Sequence, residues 1–375
     1  MAGKRSIFEE VGQKVEGPKA GMIARSLGGR HAVRAWLVTI FLLVAVMIPV
    51  GGLTRLTESG LSITEWNLVM GSIPPLNEAD WTSEFAKYKE SSQGQLMNPN
   101  ISMEQFQTIY WWEWGHRQLG RVIGLVWAVG FAGLALTRKV PVGWSPRLWL
   151  LGALIGAQGA VGWLMVSSGL REGMVSVANV WLAAHLAGAF LIFGLISEWV
   201  FQLGRTEAQL MQARRGREKR LFGVSTGLMH FLFLQVIFGA LVAGVDAGQY
   251  YPTWPDMNGA FFPPDAFDVP VGFLQNPAVV QFAHRMLAYA IAGYGVYAWL
   301  KGRKSAHAAT RRAFHWVGLA LLAQIALGIV TVLSAASLHP AISHQVMAIV
   351  LWVLVMRARH LAGAPVQGSI REGTA

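Results

Sequence analysis

Residues 35–54 read AWLVTIFLLVAVMIPVGGLT, twenty residues without a charge. Twenty is about the number an α-helix needs to cross the hydrocarbon core of a bilayer. Seven further segments read the same way, at approximately 109–137, 148–167, 177–203, 221–245, 279–300, 313–336 and 341–357. The last is short, and the second opens on a polar, Trp-rich turn. Composition agrees: 53% of the 375 residues are apolar and only 14% charged, with a mean hydropathy of +0.41. Soluble domains carry roughly 25% charged residues. The chain has no Cys, which excludes disulfides, thiolate metal sites and thiol catalysis.

A net charge of +11 invites a nucleic-acid reading, and the positions of the charges exclude it. The arm up to Arg34 holds seven Lys/Arg, the 138–147 connection three, 203–220 six, 301–312 five and the stretch from Arg357 three. The intervening loops are acidic or neutral. The 56–108 loop sets Lys87 and Lys89 against seven carboxylates, and the 246–278 loop has four Asp and no Lys or Arg. By the positive-inside rule both termini face the cytoplasm, so the basic charge is topological. The N-terminal arm carries Glu9, Glu10 and Glu16, unlike a secretory or transit segment. The expected location is a bacterial plasma (inner) membrane.

The chain is a tandem repeat. Gly51-Gly52-Leu53 at the end of the first span matches Gly239-Ala240-Leu241 at the end of the fifth. Gly60, Trp66, Gly71 and Pro74-Pro75 are followed at similar spacing by Gly248, Trp254, Gly259 and Pro263-Pro264. His116-Arg117 matches His284-Arg285, Gln158 with Gly162 matches Gln324 with Gly328, and His185 matches His344. Four spans per repeat is an even number, so both copies run in the same sense across the membrane; inverted repeats need an odd count. The expected fold is all-α: eight transmembrane helices as two tandem, same-orientation four-helix bundles. Small residues such as Gly120 and Gly124 would allow close helix approach. The organisation is a cytoplasmic arm at 1–34, a first bundle at 35–203 with its outer loop 56–108, a basic linker at 204–220, a second bundle at 221–357 and a tail at 358–375.

His116, His185, His284 and His344 each lie early in an even-numbered span, which enters from the outer side. All four therefore share the outer third of the membrane, two per bundle. Ionisable groups at that depth usually face the bundle interior and serve function. Two imidazoles from two helices can grip a heme iron from opposite faces, making these four the candidate metal ligands. A metal centre without porphyrin would want added carboxylates. Arg117 and Arg285 can reach heme propionates or snorkel to the interface. Trp111, Trp112 and Trp114 read as an interfacial belt. The remaining six histidines read as surface or ordinary polar contacts, and Glu198 as a solvated boundary residue.

One acid breaks the symmetry. Glu113 stands three residues before His116 and shares its helix face, whereas the matching residue is Gln281. A buried Glu can move protons near neutral pH; the alternative is a Glu113 at the wet interface that pairs with Arg117 or another base. The residues thus describe a resting cofactor site in one half and a reaction site in the other.

At this point the sequence resembles the heme A synthases, in particular the cysteine-free group of proteobacteria and mitochondria. The resemblance is carried by residues 51–62 (GGLTRLTESGLS), 71–75 (GSIPP), Glu113-Trp114-Gly115-His116-Arg117 and His284-Arg285, and it covers all eight spans. It implies an oxidoreductase of heme biosynthesis that converts the C8 methyl group of heme O to a formyl group, giving heme A for terminal oxidases. His284 and His344 would ligate a resident heme b. His116 and His185 would approach the iron of heme O, with Glu113 serving the reaction. Other expected partners are membrane lipid, an electron donor that the sequence does not name, and heme O synthase or oxidase assembly factors. Some bacterial members carry a Cys pair in the first outer loop; this chain has none. Two other readings compete: a di-heme b-type cytochrome for electron transfer, disfavoured by the Glu113/Gln281 asymmetry, and a transporter, disfavoured by the parallel repeat.

Overall fold

The computed structural model describes residues 20–67, 70–264, 266–268 and 270–366. Most of the arm at 1–34 and the end of the tail, 367–375, lie outside this range. Eight helices of 25 residues or more are present among the described residues. They are α1 (Ala20–Leu56), α4 (Met103–Leu136), α5 (Ser145–Gly169), α6 (Asn179–Leu203), α8 (Lys219–Gly244), α10 (Pro277–Gly302), α11 (Ala308–Leu333) and α12 (Leu338–Gly363). Shorter helices are α2 (Glu78–Glu90), α3 (Ser92–Leu96), α7 (Glu207–Arg215) and α9 (Ala247–Tyr250). There is no strand among the described residues.

Every expected span coincides with one long helix. Seven of the eight are long and apolar enough to cross a membrane. The exception is α10, equally long, in which His284, Arg285 and three Tyr dilute the apolar run. Local chemistry sets the ends. Ser102 and Gln105 form a capping box that starts α4 earlier than the apolar pattern does, and Asn276 caps α10 with Pro277 in its first turn. The last span is not short: α12 continues through Arg357, Arg359 and His360 to Gly363, so the start of the expected tail is helical. The linker at 204–220 is also ordered. Thr206 and Gln209 box the start of α7, and Arg30 ties Glu207 at 2.7 Å and the carbonyl of Gln202 at 2.9 Å to α1.

In the first half α1 packs on α4 and α6, and α5 on the same two helices. In the second half α8 packs on α10 and α12, and α11 on those two. The halves meet where α6 lies on α8 and α12, and α1 on α12. Outward faces carry large exposed apolar side chains, among them Leu42, Leu125, Val129, Leu319 and Leu322, which suits contact with lipid. Because lipid tails are as apolar as Leu, helices in a bilayer associate through close packing and hydrogen bonds. Glycines receive indoles here: Trp36 lies against Gly130 and Trp127 against Gly152. The two indole N–H groups donate to the carbonyls of Val126 and Leu148 at 2.9 and 3.0 Å. Gly120 takes part in such packing, but nothing lies within 4 Å of a Cβ built at Gly124. That half of the expected small-residue pair makes no close approach.

The junction between halves is polar at its outer end. Gln345 of α12 donates to the carbonyl of Ile48 in α1 at 3.0 Å, and its side chain fills the space beside Gly52. Arg55 meets Asp246 at 2.5 Å. At the opposite end Glu198 is not the freely solvated boundary residue that the sequence suggests but a partly buried one, its side chain 21% exposed. It contacts His360 at 3.2 Å and accepts from Gln202 at 2.8 Å. Gly52→Leu is expected to push Gln345 off Ile48 and cost about 1–3 kcal/mol, the usual range for overpacking. Melting in detergent would show it, and Gly124→Ala should raise the melting temperature slightly, because its Cβ meets nothing and Ala favours a helix interior over Gly.

Over the outer face, α2 presses Trp81, Phe85 and Tyr88 against Phe106 and Tyr110 of α4. Gln93 of α3 donates to the carbonyls of Glu58 and Val175. The long 56–108 loop is therefore a folded cap on the first half.

Candidate functional site

Each of the four histidines is seated against a glycine of the preceding long helix. A Cβ built at Gly51 of α1 would stand 3.0 Å from His116 Nε2 on α4. At Gly162 of α5 it would stand 2.9 Å from His185 Cε1 on α6. The corresponding distances are 3.1 Å from Gly239 to His284 and 2.9 Å from Gly328 to His344. Real Cβ contacts are rarely this short, so any larger residue would enter the space of the ring. The four seats lie near the C-terminal ends of α1, α5, α8 and α11, which puts the rings toward the end of the bundle that carries the 56–108 and 246–278 loops.

The rings are also paired. His116 and His185 lie within electrostatic reach of each other, as do His284 and His344. His185 Nδ1 and His284 Nδ1 are buried without a hydrogen-bond partner. Among the described residues no group of three or more His, Asp or Glu converges. Two imidazoles, a glycine-lined approach and unpartnered ring nitrogens fit an iron whose other ligands come from a macrocycle better than a bare ion.

Glutamines add a second hold. Gln158, Gln235 and Gln324 each stand four residues before a seat glycine. Their Nε2 groups donate to the backbone carbonyls of His185, His284 and His344 at 2.6, 3.0 and 3.2 Å. Gln235 and Gln324 also come within 3.2 and 3.3 Å of ring nitrogens. Gln158 and Gln324 match across the repeat in sequence, and the structure adds Gln235 to them. The i, i+4 spacing to Gly in the fifth span was the available signal.

Glu113 is 2% exposed and bound on both oxygens. One accepts from Ser62 Oγ and from the backbone N–H of Ile63, both at 2.8 Å. The other meets Arg117 Nη2 at 2.6 Å. The pair as a whole is neutral, so the site holds an acid together with its countercharge. Gln281 is equally buried, and its amide donates to the carbonyl of Tyr251 at 3.1 Å. Ile63 and Tyr251 hold the same place in the repeat, twelve residues after Gly51 and Gly239. The carboxylate of the first half thus meets a backbone N–H where the amide of the second half meets a backbone carbonyl.

Arg117 and Arg285 act as clasps on the outer loops. Arg117 donates to the carbonyls of Ile63 and Glu65 at 2.9 and 3.0 Å and lies over the Trp66 ring. Arg285 donates to those of Tyr251 and Asp256 at 2.8 and 2.7 Å. The Asp256 carboxyl is held below the ordinary carboxylate value by the Gly259 N–H and the Thr253 hydroxyl, with Arg285 nearby. Both arginines keep a buried, unpartnered Nε–H. Loop anchoring is a role that spacing alone could not reveal, because the carbonyls lie some fifty residues away in the first half. A cavity of about 520 Å³ opens in the outer cap between Glu58, Met97, Pro99 and Ile109, and none of the four histidines lines it. Trp111 and Trp112 are exposed in the first third of α4, whereas the indole N–H of Trp114 is buried.

The chain is similar to curated proteins named heme A synthase. It is 58% identical to that of Cereibacter sphaeroides over 99% of both chains. It is 56% identical to that of Ruegeria pomeroyi over 99% of this chain and 100% of the relative. With that of Paracoccus denitrificans the identity is 50% over 98% of each. Residues 34–356 match the model of the COX15-CtaA family, described as cytochrome oxidase assembly protein, and the chain belongs to that family.

Proposed function

We propose that this chain is a heme A synthase, oxidising the C8 methyl group of heme O to a formyl group and so supplying heme A to terminal oxidases. One observation carries the reading: two repeats share a glycine-seated histidine pair, yet only one adds a buried acid, Glu113 against Gln281. The near full-length identity to heme A synthases supports it.

In this reading eight helices cross the inner membrane with both termini in the cytoplasm, α10 among them, as two same-orientation four-helix bundles. The ring of contacts among α1, α4, α5 and α6, repeated among α8, α10, α11 and α12, supports that layout. His284 and His344 hold a resident heme b in the second bundle. Heme b supplies one-electron chemistry when bound. His116 and His185 hold the iron of heme O in the first bundle and so orient the macrocycle. Glu113, anchored by Ser62, Ile63 and Arg117, presents charge or takes a proton beside the methyl group. Arg117 and Arg285 anchor the loops of the two halves, and their unpartnered Nε–H groups would be available to a propionate. Turning the methyl group into a formyl group adds one oxygen atom and withdraws four electrons, so an oxidant outside this chain is required. Where that oxidant is O2 used in successive hydroxylations, an external electron donor completes the balance. Heme O synthase or oxidase assembly factors are the protein partners to look for.

Heme extracted from purified protein and separated by chromatography tests the reading. Mostly heme b, with some heme O or heme A, is expected. Heme b alone at two per chain would favour the electron-transfer cytochrome instead.

A further inference from the structure

Three of the four histidines are held twice, by a glycine seat and by a glutamine on their backbone carbonyl; the fourth is not. Four residues before Gly51, where α5, α8 and α11 carry Gln158, Gln235 and Gln324, α1 carries Met47. A thioether has no N–H, so position 47 donates nothing to the carbonyl of His116. The partner helix differs as well. One turn beyond His185, His284 and His344 stand Ala189, Ala288 and Ala348; one turn beyond His116 stands Gly120. A Cβ built there would lie 3.4 Å from Met47 Cε, so the methionine end occupies the space that glycine leaves. Around His116 a polar clamp is thus replaced by a flexible apolar contact between Met and Gly. Met adapts its shape readily, and Gly loosens a helix interior relative to Ala.

The asymmetry follows function. Both ligands of the proposed resident heme b carry a clamp. In the bundle proposed to exchange heme O for heme A, His185 carries one and His116 does not. We infer that Met47 makes the His116 seat the releasable one, so that substrate enters and product leaves by motion of His116 and α4 against α1. The inference rests on the assignment of the first bundle to the substrate. Met47 acts here as a positioning residue through His116, and an interhelical hydrogen bond added at this point should slow release.

Met47→Gln in the full-length protein supplies the missing donor. The rate at which heme A passes from the loaded protein to apomyoglobin is expected to fall about fivefold, the effect of one interhelical hydrogen bond of typical strength. Heme b content should stay at its wild-type level. Met47→Leu, which has no donor either, should release heme A at the wild-type rate. A folded Met47→Gln protein that releases heme A as fast as Met47→Leu overturns the inference. Gln324→Met reads the same principle in reverse and does not depend on Met47→Gln folding. Resident heme b should then leak about fivefold faster, and an unchanged rate also overturns the inference. Failure of the underlying assignment looks different. In that case His116→Ala and His185→Ala would leave the heme O and heme A content of the protein unaltered.

Discussion

Glu113→Gln is expected to leave both hemes bound and to stop the conversion of heme O to heme A. Binding should survive because the substitution keeps the side chain's size and most of its partners. The amide oxygen can still accept from Arg117, and the Ser62 hydroxyl can reverse to meet an NH2 group. Only the Ile63 N–H, now 2.8 Å from a carboxylate oxygen, would face a donor. That mismatch costs about 1–3 kcal/mol, and the loss of countercharge at the partly buried Arg117 adds to it. The carbonyls of Ile63 and Glu65 that Arg117 keeps offset part of this, and a lowered melting temperature is expected. The chemistry loses more. An amide neither takes a proton nor carries charge, and it leaves Arg117 without its countercharge. Removing a positioned acid–base group typically lowers a rate by about 10²–10⁴-fold. Chromatography of hemes from a timed reaction measures the loss. Heme A made at the wild-type rate would sink the catalytic assignment. Gln281→Glu is the matching control and should confer no activity on the second half, because its loop presents the Tyr251 carbonyl to that position.

His284→Ala or His344→Ala should remove heme b. In the proposed assignment each imidazole is one of two ligands, and each is positioned by a seat and a clamp. Gly328→Leu should reproduce much of this effect with all histidines intact, because its Cβ alone would stand 2.9 Å from the His344 ring. Disturbing groups that orient a ligand costs roughly 10–100-fold in metal affinity, and losing the ligand costs at least as much. The reduced absorbance spectrum of purified protein gives the heme b content directly. Full heme b in the His344→Ala protein would mean that the second bundle is not its site.

Much of this architecture is legible in the residues themselves. Apolar runs mark the spans because bilayer thickness fixes their length, and the duplicated His-Arg pairs mark the ligand helices. What escapes is whatever depends on packing between distant segments. The Arg117 and Arg285 clasps bind backbone carbonyls, which every residue type offers equally. The Glu198–His360 contact joins α6 to α12, so either residue alone reads as a boundary group. The cap helices α2 and α3 are polar, and their order comes from aromatic contacts with α4 and from Gln93, not from hydropathy. Between these extremes lies α10, in which His284, Arg285 and three Tyr lower the hydropathy that marks the other spans.

The double glycine of α1 has a consequence for how the two halves communicate. Gly51 seats His116, and the next residue, Gly52, seats Gln345, the chain neighbour of His344. Successive helical residues point about 100° apart, so one helix forms a wall of both compartments. A small roll of α1 that relieves one seat tightens the other. Under the proposed assignment of the two sites, their occupancy would be linked through α1, and linkage of this kind is reciprocal. Whatever free energy the resident group contributes to holding substrate, substrate returns to the resident group in equal measure.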